Sequence, residues 1–547
     1  MNAGPRQAHD GGNRRRDGRE GGVAAEWLLV ATAFVALLPL GYALARIAQG
    51  AWTRGVQTVP VEERSLSGLD PGLLARTLGV ALLIGLLATI CAWPGAWWIR
   101  RKGTGSTLAL LCVPLLLPAT LTYAAYGLLR APGTWLGDLA ERAGSSGWPE
   151  LPLFIGRAIA VGGLSLWATP LALLPLAHAV TRLDTNVLEN LELDAASRVR
   201  RHAARVRLCL PALGVSIGLV ALVMIGSPVP LHLAQVDTYA TRVWLALDRM
   251  PEAQQWAAWL ASWPVVACAL AGAWLASGLV TDAGVAGTAT PQAAPSAREA
   301  RRRWRAAVPA LLLWSLATLV PLALLAWSVR DAHSYANVVR VNADAAARSL
   351  SVAIGTGLVL ALVGTLVFAA ASGGSSSRRI ARLCVRVLAL AGLCPGVLVG
   401  SWIGGVWNTL APALTDTPLI VVLAHAARFS FIAGVIGLRL ALAEPAEERD
   451  ARAIDSGGDA WSWWMLLGRR AWPTLAALAG AGAILSINEI EASIMVVPPG
   501  FDTLARRLLD YLHFARMEEL SAISVLICGT GTVLGLAAAM SVRRETP

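Results

Sequence analysis

The chain has 547 residues, of which 56% are hydrophobic and 15% are charged, and its formal net charge is +11. Soluble domains carry roughly a quarter charged residues, so this composition excludes a string of ordinary soluble domains, a disordered chain and a collagen. The seven cysteines form no CxxC pair and lie mostly in apolar runs, which favours small core residues over metal ligands or disulfides. The class that remains is an all-α polytopic membrane protein.

The N-terminal segment, residues 1–22, is polar and rich in glycine and arginine. The apolar stretch that follows is long enough to cross a bilayer, and no small-residue cleavage site is evident after it. We therefore expect residues 1–22 to form a disordered cytoplasmic arm rather than a secretory signal.

Twelve apolar segments are each long enough, at about 20 residues, to cross a bilayer as a helix. Several of them contain proline, as at Pro39, Pro94, Pro170, Pro264 and Pro395, which membrane helices tolerate because neighbouring helices satisfy the freed backbone groups. The predicted spans are 27–47, 77–98, 106–129, 157–180, 211–228, 256–280, 306–329, 349–371, 385–407, 418–440, 474–497 and 520–541.

The basic residues predict the orientation of these spans. Lys102 is the only lysine, and the arginines form short clusters between apolar segments, so the net charge reflects membrane topology rather than nucleic-acid binding. Every cluster falls on one side of the membrane if both termini are cytoplasmic, as the positive-inside rule requires. The clusters lie at 14–19, 100–102, 198–207, 301–305, 378–382, 469–470 and 543–544.

A polar segment divides the chain into two similar halves. Residues 283–304 begin with small, Pro-containing linker sequence, and we expect a first transmembrane half at 23–282 and a second at 305–547. The second span of each half opens alike, with Arg76-Thr77-Leu78 in the first and Arg348-Ser349-Leu350 in the second. Each half also has a cytoplasmic loop of about 30 residues before its fifth span. Parallel repeats of this kind usually enclose a path between them, although similarity among apolar segments also arises by chance.

The sequence shows no enzyme site. A P-loop needs a lysine that follows a Gly-x-x-x-x-Gly pattern, and Lys102 lacks that context. The seven histidines form no HExxH motif or other close ligand pair. We therefore expect no catalytic residues, no bound metal and no cofactor in this chain.

The two cytoplasmic loops share a pattern. The first reads Glu192-Leu193-Asp194-Ala195-Ala196 and continues through a basic helix to Leu210-Pro211; the second runs from Glu448 through Asp450-Ala451 and Gly457-Gly458 to Trp472-Pro473. Each predicts a short helix, a turn and a second helix, with small alanines that allow a partner to approach closely. A solvated charged loop without a partner is the alternative interpretation.

These loops resemble the EAA loop of ABC-importer permeases, in which Glu-Ala-Ala is followed by a glycine and then by Leu-Pro at the next span. The chain as a whole is similar to the fused two-half, twelve-span permeases of the ferric-iron type, whose relatives also carry thiamine and other small solutes. Residues 488–514 resemble that family's run of an acidic residue, Pro-Pro-Gly, Thr-Leu, arginine and Leu-His-aromatic, with a weaker counterpart at 229–244. The resemblance covers about residues 70–541.

The resemblance implies a type I ABC-importer permease architecture in a bacterial cytoplasmic (inner) membrane. Its expected partners, besides the lipid bilayer, are a separate ATPase dimer that grips the two loops and an extracytoplasmic solute-binding protein. Ferric iron is the solute it implies, although no cluster of tyrosine, histidine and carboxylate residues marks an iron site. The candidate ATPase-coupling residues are Asp194, Ala195, Ala196, Pro211, Asp450, Ala451, Gly457, Gly458 and Pro473.

The loops also depart from the family pattern. Asp194 stands where the family has glutamate, Arg200 lies near the expected glycine, and Ala451-Arg452 replaces Ala-Ala in the second loop. The two ATPase contacts are therefore expected to be unequal.

Ionisable residues inside predicted spans are the candidates for the translocation path. His425 and Arg428 lie three residues apart, hence on one helix face, and Glu489 and Glu491 lie in the eleventh span. We expect Glu489 or Glu491 to pair with Arg428 near the path or its outer gate; a purely structural ion pair is the alternative.

Two other classes of protein fit parts of the sequence. A gradient-driven secondary transporter with two six-span halves would have no need of paired EAA-like loops. A membrane-embedded enzyme or scaffold would need a polar cluster near one interface, which the sequence does not show.

Overall fold

The computed structural model describes residues 11–54, 70–102, 105–194, 197–281, 297–373, 375–445, 447, 451, 454 and 460–544. All regular secondary structure in these ranges is helical. We call the described residues up to Thr281 the N-half and those from Ala297 the C-half.

The N-half contains thirteen α-helices, several of them separated by only a few residues. Their bounds are α1 Gly11–Arg54, α2 Pro71–Lys102, α3 Gly105–Cys112, α4 Ala119–Gly127, α5 Trp135–Ser145, α6 Leu151–Arg182, α7 Thr185–Asp194, α8 Arg198–Leu208, α9 Leu210–Ile225, α10 Pro228–Leu233, α11 Tyr239–Arg249, α12 Gln255–Ala261 and α13 Trp263–Thr281.

The C-half repeats much of this order with eleven α-helices. Their bounds are α14 Ala297–Ser328, α15 Ala332–Val341, α16 Ala343–Ser372, α17 Ser375–Leu393, α18 Gly396–Leu410, α19 Pro412–Thr415, α20 Leu419–Leu442, α21 Ala460–Ile487, α22 Glu491–Val496, α23 Leu504–His513 and α24 Met517–Arg544.

The apolar helices indicate a membrane-embedded protein. Among the described residues, seven helices are long and apolar enough to cross a bilayer, and the number rises to eleven if each sharply bent helix pair counts as one span. Exposed tryptophans lie near both ends of two apolar spans, at Trp27 and Trp52 in the Glu26–Trp52 part of α1 and at Trp304 and Trp327 in the Trp304–Ser328 part of α14. At 1.5 Å per residue these pairs are about 35–38 Å apart, a spacing that suits the two interfaces of a bilayer.

Four predicted spans are interrupted rather than continuous, one of them the span 256–280, which bends by 52° between α12 and α13. The span 385–407 bends by 105° between α17 and α18, and the span 106–129 bends by 70° before α4. Pro395 and Pro118 occupy the bends, because proline lacks an N–H and disfavours a helical conformation in the residue before it. The span 474–497 breaks after Ile487, and a short helix starts again at Glu491. Here the polar residues Asn488 and Glu489 leave the helix to reach buried partners.

The two halves pack their central helices in the same way. In the N-half α2 packs against α6 and α9, and in the C-half α16 packs against α20 and α21. A Cβ added at Gly85 of α2 would lie 2.6 Å from the Ile217 carbonyl oxygen of α9. A Cβ at Gly357 of α16 would lie 2.5 Å from the Ala479 carbonyl oxygen of α21. Each crossing therefore depends on a glycine at the corresponding place.

A second pair of matching contacts lies near the N-terminal ends of α2 and α16. The Tyr239 backbone N–H, at the start of α11, donates to Thr77 Oγ1 at 2.9 Å. The Leu504 backbone N–H, at the start of α23, donates to Ser349 Oγ at 2.8 Å. Thr77 and Ser349 belong to the two similar openings in the sequence. A helix N-terminus leaves backbone N–H groups without intrahelical acceptors, and the two halves satisfy one of these groups with the same device.

The first long helix of each half packs against the other half. Helix α1 lies against α16, α17 and α18, and α14 lies against α2, α4 and α6. Tyr42 of α1 stacks edge-on with Trp259 and lies within hydrogen-bond reach of Thr409 at 3.3 Å. Each half therefore packs its first long helix against the other half.

The terminal and linking segments are described only in part. Helix α1 begins at Gly11, inside the segment expected to be disordered, and residues 1–10 lie outside the described residues. Of the expected linker 283–304, residues 283–296 lie outside them as well, and α14 starts at Ala297.

Replacement of Gly85 or Gly357 by alanine is expected to destabilise the protein by about 1–3 kcal/mol, because the methyl group would overlap a backbone carbonyl that cannot rotate away. Thermal unfolding of the detergent-solubilised chain measures this effect. Gly79→Ala and Gly480→Ala are matched controls, since a Cβ at either position meets nothing within 4 Å. Equal melting temperatures for the four variants would contradict the proposed close crossings.

Candidate functional site

A buried ion cluster lies where two helix interruptions of the C-half meet. The N-terminus of α18 packs against the start of α22, and the approach is close because α18 presents glycines there. A Cβ at Gly396 would lie 2.7 Å from Glu491 Cβ and 2.9 Å from Glu489 Oε1. A Cβ at Gly400 would lie 2.6 Å from the Ala492 carbonyl oxygen. The absence of side chains at Gly396 and Gly400 brings both glutamates to the bend at Pro395.

Arg428 of α20 joins the two glutamates to the bend. Its Nη2 lies 3.2 Å from Glu491 Oε2, and its Nε lies 3.8 Å from Glu489 Oε2. Its Nη1 also donates to the carbonyl oxygen of Cys394, the last residue before Pro395. All three charged side chains are at most 13% exposed. The arginine thus satisfies a carbonyl that the interrupted helix leaves without a partner, and it neutralises part of the buried charge.

The carboxylates have further partners. Glu489 Oε1 accepts the Ala492 backbone N–H at 2.9 Å, and Glu491 Oε1 accepts the Ser227 hydroxyl at 2.7 Å. The pairs described for this cluster comprise two carboxylates and one guanidinium. The N-terminal end of α18 adds the partial positive charge of a helix dipole, which favours carboxylates. Buried charges are tolerated where they are paired and hydrogen-bonded in this way.

His425, one turn before Arg428, belongs to an adjoining hydrogen-bonded chain. Its Nδ1 and Nε2 each lie 2.7 Å from a serine hydroxyl, that of Ser486 in α21 and that of Ser493 in α22. Ser486 in turn donates to Thr356 Oγ1 at 3.2 Å. The imidazole is fully surrounded by protein and ties α20 to α16, α21 and α22. In this arrangement His425 contacts neutral hydroxyls rather than the glutamates.

The N-half has a neutral counterpart of the arginine contact. Trp167 of α6 donates its Nε1–H to the carbonyl oxygen of Leu117, the residue before Pro118, at 2.7 Å. Pro118 and Pro395 have nearly the same backbone angles, with φ/ψ of −60°/134° and −52°/136°. An indole N–H thus donates to the carbonyl before the first bend, and a guanidinium donates to the carbonyl before the second. The charge at the second bend is therefore a feature of the C-half.

The four path residues predicted from the sequence therefore lie together. The predicted pair between Arg428 and a glutamate is present, and it involves Glu489 as well as Glu491. Ser227, Ser486 and Ser493 were not predicted as part of the site. For Ser227 a signal existed, because it lies just before the segment 229–244, which was recognised as the weaker counterpart of the C-half run.

The predicted ATPase-coupling residues are described only in part. Helix α7 ends at Asp194; Pro211 lies at the start of α9 and Pro473 inside α21, both exposed, and Ala451 is helical and exposed. Ala195, Ala196, Asp450, Gly457 and Gly458 lie outside the described residues.

Large apolar side chains in these loops are unusually exposed. Leu193 of the first loop is 82% exposed and Ile454 of the second is 77% exposed. The basic helix α8 follows the first loop and packs its inner side on α2, with the Arg205 guanidinium 5.1 Å from the ring centre of Trp97. Each loop therefore exposes a large apolar side chain in the connection that precedes α9 or α21.

The described residues contain no group of three or more histidine, cysteine, aspartate or glutamate side chains that could hold a metal ion. Searches against protein-family models, curated proteins and solved structures find no match for this chain. Its functional interpretation therefore depends on its own residues and their geometry.

Proposed function

We propose that the chain is the transmembrane permease subunit of an ATP-binding-cassette importer, which carries a small solute across a bacterial cytoplasmic membrane. In this proposal the two halves are homologous six-span units, both termini are cytoplasmic, and ATP hydrolysis occurs on a separate ATPase dimer. An extracytoplasmic binding protein delivers the solute, for which ferric iron is the first candidate to test.

The observation that carries the proposal is the residue-level recurrence within the membrane helices. The glycine crossings at Gly85 and Gly357 and the hydroxyl caps at Thr77 and Ser349 occupy corresponding places in the two halves. A repeated bundle of this kind is expected of a transporter, since the interface between parallel repeats can open alternately to the two sides.

The exposed loops support an ATP-driven mechanism. Leu193 and Ile454 are large apolar side chains exposed at the corresponding connection in each half, and such side chains outside a membrane mark protein contacts. The first loop is followed by α9, which ends just before Ser227, and the second by α21, which ends just before the Glu489–Glu491 segment. A partner that draws the loops together would therefore move both central helices at once.

The proposed mechanism uses this arrangement of loops and helices. ATP-dependent closure of the ATPase dimer would pull on both loops, and α9 and α21 would transmit the movement to Ser227 and to the Glu489–Glu491 segment. The equilibrium between inward-facing and outward-facing arrangements then shifts by the difference in contact energy between the two states.

A gradient-driven secondary transporter is the second candidate. The observation in its favour is the buried cluster of Arg428, Glu489 and Glu491, because intramembrane ionisable groups often act in proton or ion pathways. Such a carrier would need no ATPase partner.

Affinity purification from the native host distinguishes these two candidates. The tagged full chain is solubilised gently, and the co-purifying chains are identified by mass spectrometry. We expect a P-loop ATPase to accompany the permease in several detergents, and a co-purified binding protein would then identify the solute. A homogeneous preparation without an ATPase would favour the gradient-driven carrier.

A further inference from the structure

Two of the hydrogen bonds between the N-half and the C-half join the ends of α9 and α21 to interrupted helices of the opposite half; another, from Trp259 Nε1 to Ser401 Oγ at 3.1 Å, joins α12 to α18. Ser227, just after α9, donates its hydroxyl to Glu491 Oε1 at 2.7 Å. Asn488, just after α21, donates its Nδ2 to the Leu116 carbonyl oxygen at 2.8 Å, beside the bend of the N-half. Between these bonds the backbones lie close, since a Cβ at Gly226 would be 3.5 Å from Pro395 Cα.

We propose that Ser227 and Glu491 form a latch that holds the two halves closed at the centre of the molecule, with Arg428 as its anchor. The latch lies on the solute path only if the proposed function is correct, but its existence as a releasable contact between the halves can be tested without that assumption.

The distribution of partners determines which contact breaks. Arg428 binds Glu491, Glu489 and the Cys394 carbonyl oxygen, all of which belong to the C-half. Glu491 reaches the N-half through one hydroxyl, that of Ser227. Separation of the halves therefore leaves the ion cluster intact and breaks the bond to Ser227.

The groups released by this separation can be hydrated. A serine hydroxyl, an asparagine amide, a carbonyl and one carboxylate oxygen face the new gap, and water can replace each lost partner at modest cost. At Gly226 the nearest atoms across the junction are backbone atoms of Pro395. The junction is therefore suited to repeated opening, whereas the charged cluster beside it is suited to remain fixed.

Helix connectivity links the latch to the loops. Ser227 follows the C-terminal end of α9, and Asn488 follows the C-terminal end of α21. Helices α9 and α21 begin at the two cytoplasmic loops that the proposed function assigns to ATPase coupling. Movement of either loop would thus act directly on the hydrogen bond of Ser227 or on that of Asn488.

Two natural cysteines report on this junction. Cys394 adjoins Pro395 and is 1% exposed, and Cys384 lies in the same helical segment at 4% exposed, within the apolar core of the C-half. Opening of the junction would expose Cys394 and leave Cys384 protected. Peptide mass spectrometry measures the rate at which a membrane-permeant maleimide modifies each cysteine. The Cys394 rate reports opening of the junction, and the Cys384 rate reports opening of the apolar core of the C-half.

The test compares Ser227→Ala and Asn488→Ala with Ser216→Ala in the full chain, reconstituted in lipid nanodiscs without any partner. Ser216 is a matched control, because its buried hydroxyl in α9 donates to the Ala172 carbonyl oxygen at 2.8 Å within the N-half. We expect Ser227→Ala and Asn488→Ala each to raise the modification rate of Cys394 about tenfold, the order of one hydrogen bond with a charged or buried partner. Ser216→Ala should leave it unchanged.

An unchanged Cys394 rate in Ser227→Ala, with Cys384 protected, would overturn the latch. If Ser227→Ala also exposes Cys384, the Asn488→Ala variant decides. Exposure of Cys394 alone in that variant supports a releasable junction, whereas no change, or exposure of both cysteines, overturns it. Because the measurement uses neither ATP nor solute, its failure is distinct from failure to find an ATPase partner.

Discussion

Replacement of Arg428 by methionine is expected to lower the free energy of unfolding by about 3–5 kcal/mol, one of the two largest effects we predict. The variant would leave Glu489 and Glu491 buried without their counter-charge, and the Cys394 carbonyl oxygen would lose its donor. Removal of one partner of a buried ion pair is costly because the remaining charge is neither hydrated nor neutralised. Thermal or denaturant unfolding of the solubilised chain measures the change.

Arg242→Met provides the matched control. Arg242 pairs with Asp237 at 3.0 Å, but their side chains are 43% and 46% exposed, and exposed pairs contribute about 0–1 kcal/mol. We expect the triple variant Arg428→Met, Glu489→Gln, Glu491→Gln to recover much of the lost stability, because it removes the unpaired charges. An Arg428→Met variant as stable as Arg242→Met would show that the cluster is not an ion cluster in the folded protein.

The second large effect concerns the loops. We expect the double variant Leu193→Glu, Ile454→Glu to weaken ATPase binding by at least about 30-fold, since central apolar anchors in protein interfaces contribute about 2 kcal/mol or more. In this proposal both side chains, now 82% and 77% exposed, are buried against the ATPase, and a carboxylate cannot be accommodated there. Binding of the co-purified ATPase to variant permease, by pull-down across a concentration series, measures the loss.

Val339→Glu controls for the effect of adding charge to an exposed apolar position. Val339 is 55% exposed in α15, a helix remote in sequence from both loops. We expect normal ATPase binding in this variant, because Val339 lies outside both loops. Equal binding by the loop variant and the control would remove Leu193 and Ile454 from the interface.

Seven of the twelve predicted spans coincide with single described helices long and apolar enough to cross a bilayer, and four more coincide with bent helix pairs, because long apolar runs leave few alternatives in a bilayer. The breaks within four predicted spans could not be predicted. A proline in an apolar run permits either a continuous helix, as at Pro94 and Pro170, or a sharp bend, as at Pro395. The outcome depends on whether a neighbouring side chain satisfies the freed carbonyl, as Arg428 does for Cys394.

The charged residues of the candidate site could be predicted from the sequence, whereas its serine hydroxyls could not. An arginine and two glutamates within apolar spans are rare enough to attract attention, and opposite buried charges must find one another. Ser486 and Ser493 carry no comparable signal, because serine occurs throughout the sequence and its role depends on which helix faces it. Ser227 was marked only by its position just before the segment 229–244. The correspondence of Thr77 with Ser349 was visible as similar sequence, but their shared function as helix caps required the positions of Tyr239 and Leu504.

Native mass spectrometry of the gently solubilised protein tests whether the chain is the permease of an ATP-driven transporter. We expect a complex whose mass exceeds that of the 57.3 kDa chain by two copies of a P-loop ATPase, with both copies lost when the loops carry glutamate at positions 193 and 454. A chain that remains alone, or with lipid only, under conditions that preserve other membrane complexes from the same cells would contradict the assignment as an ATP-driven permease.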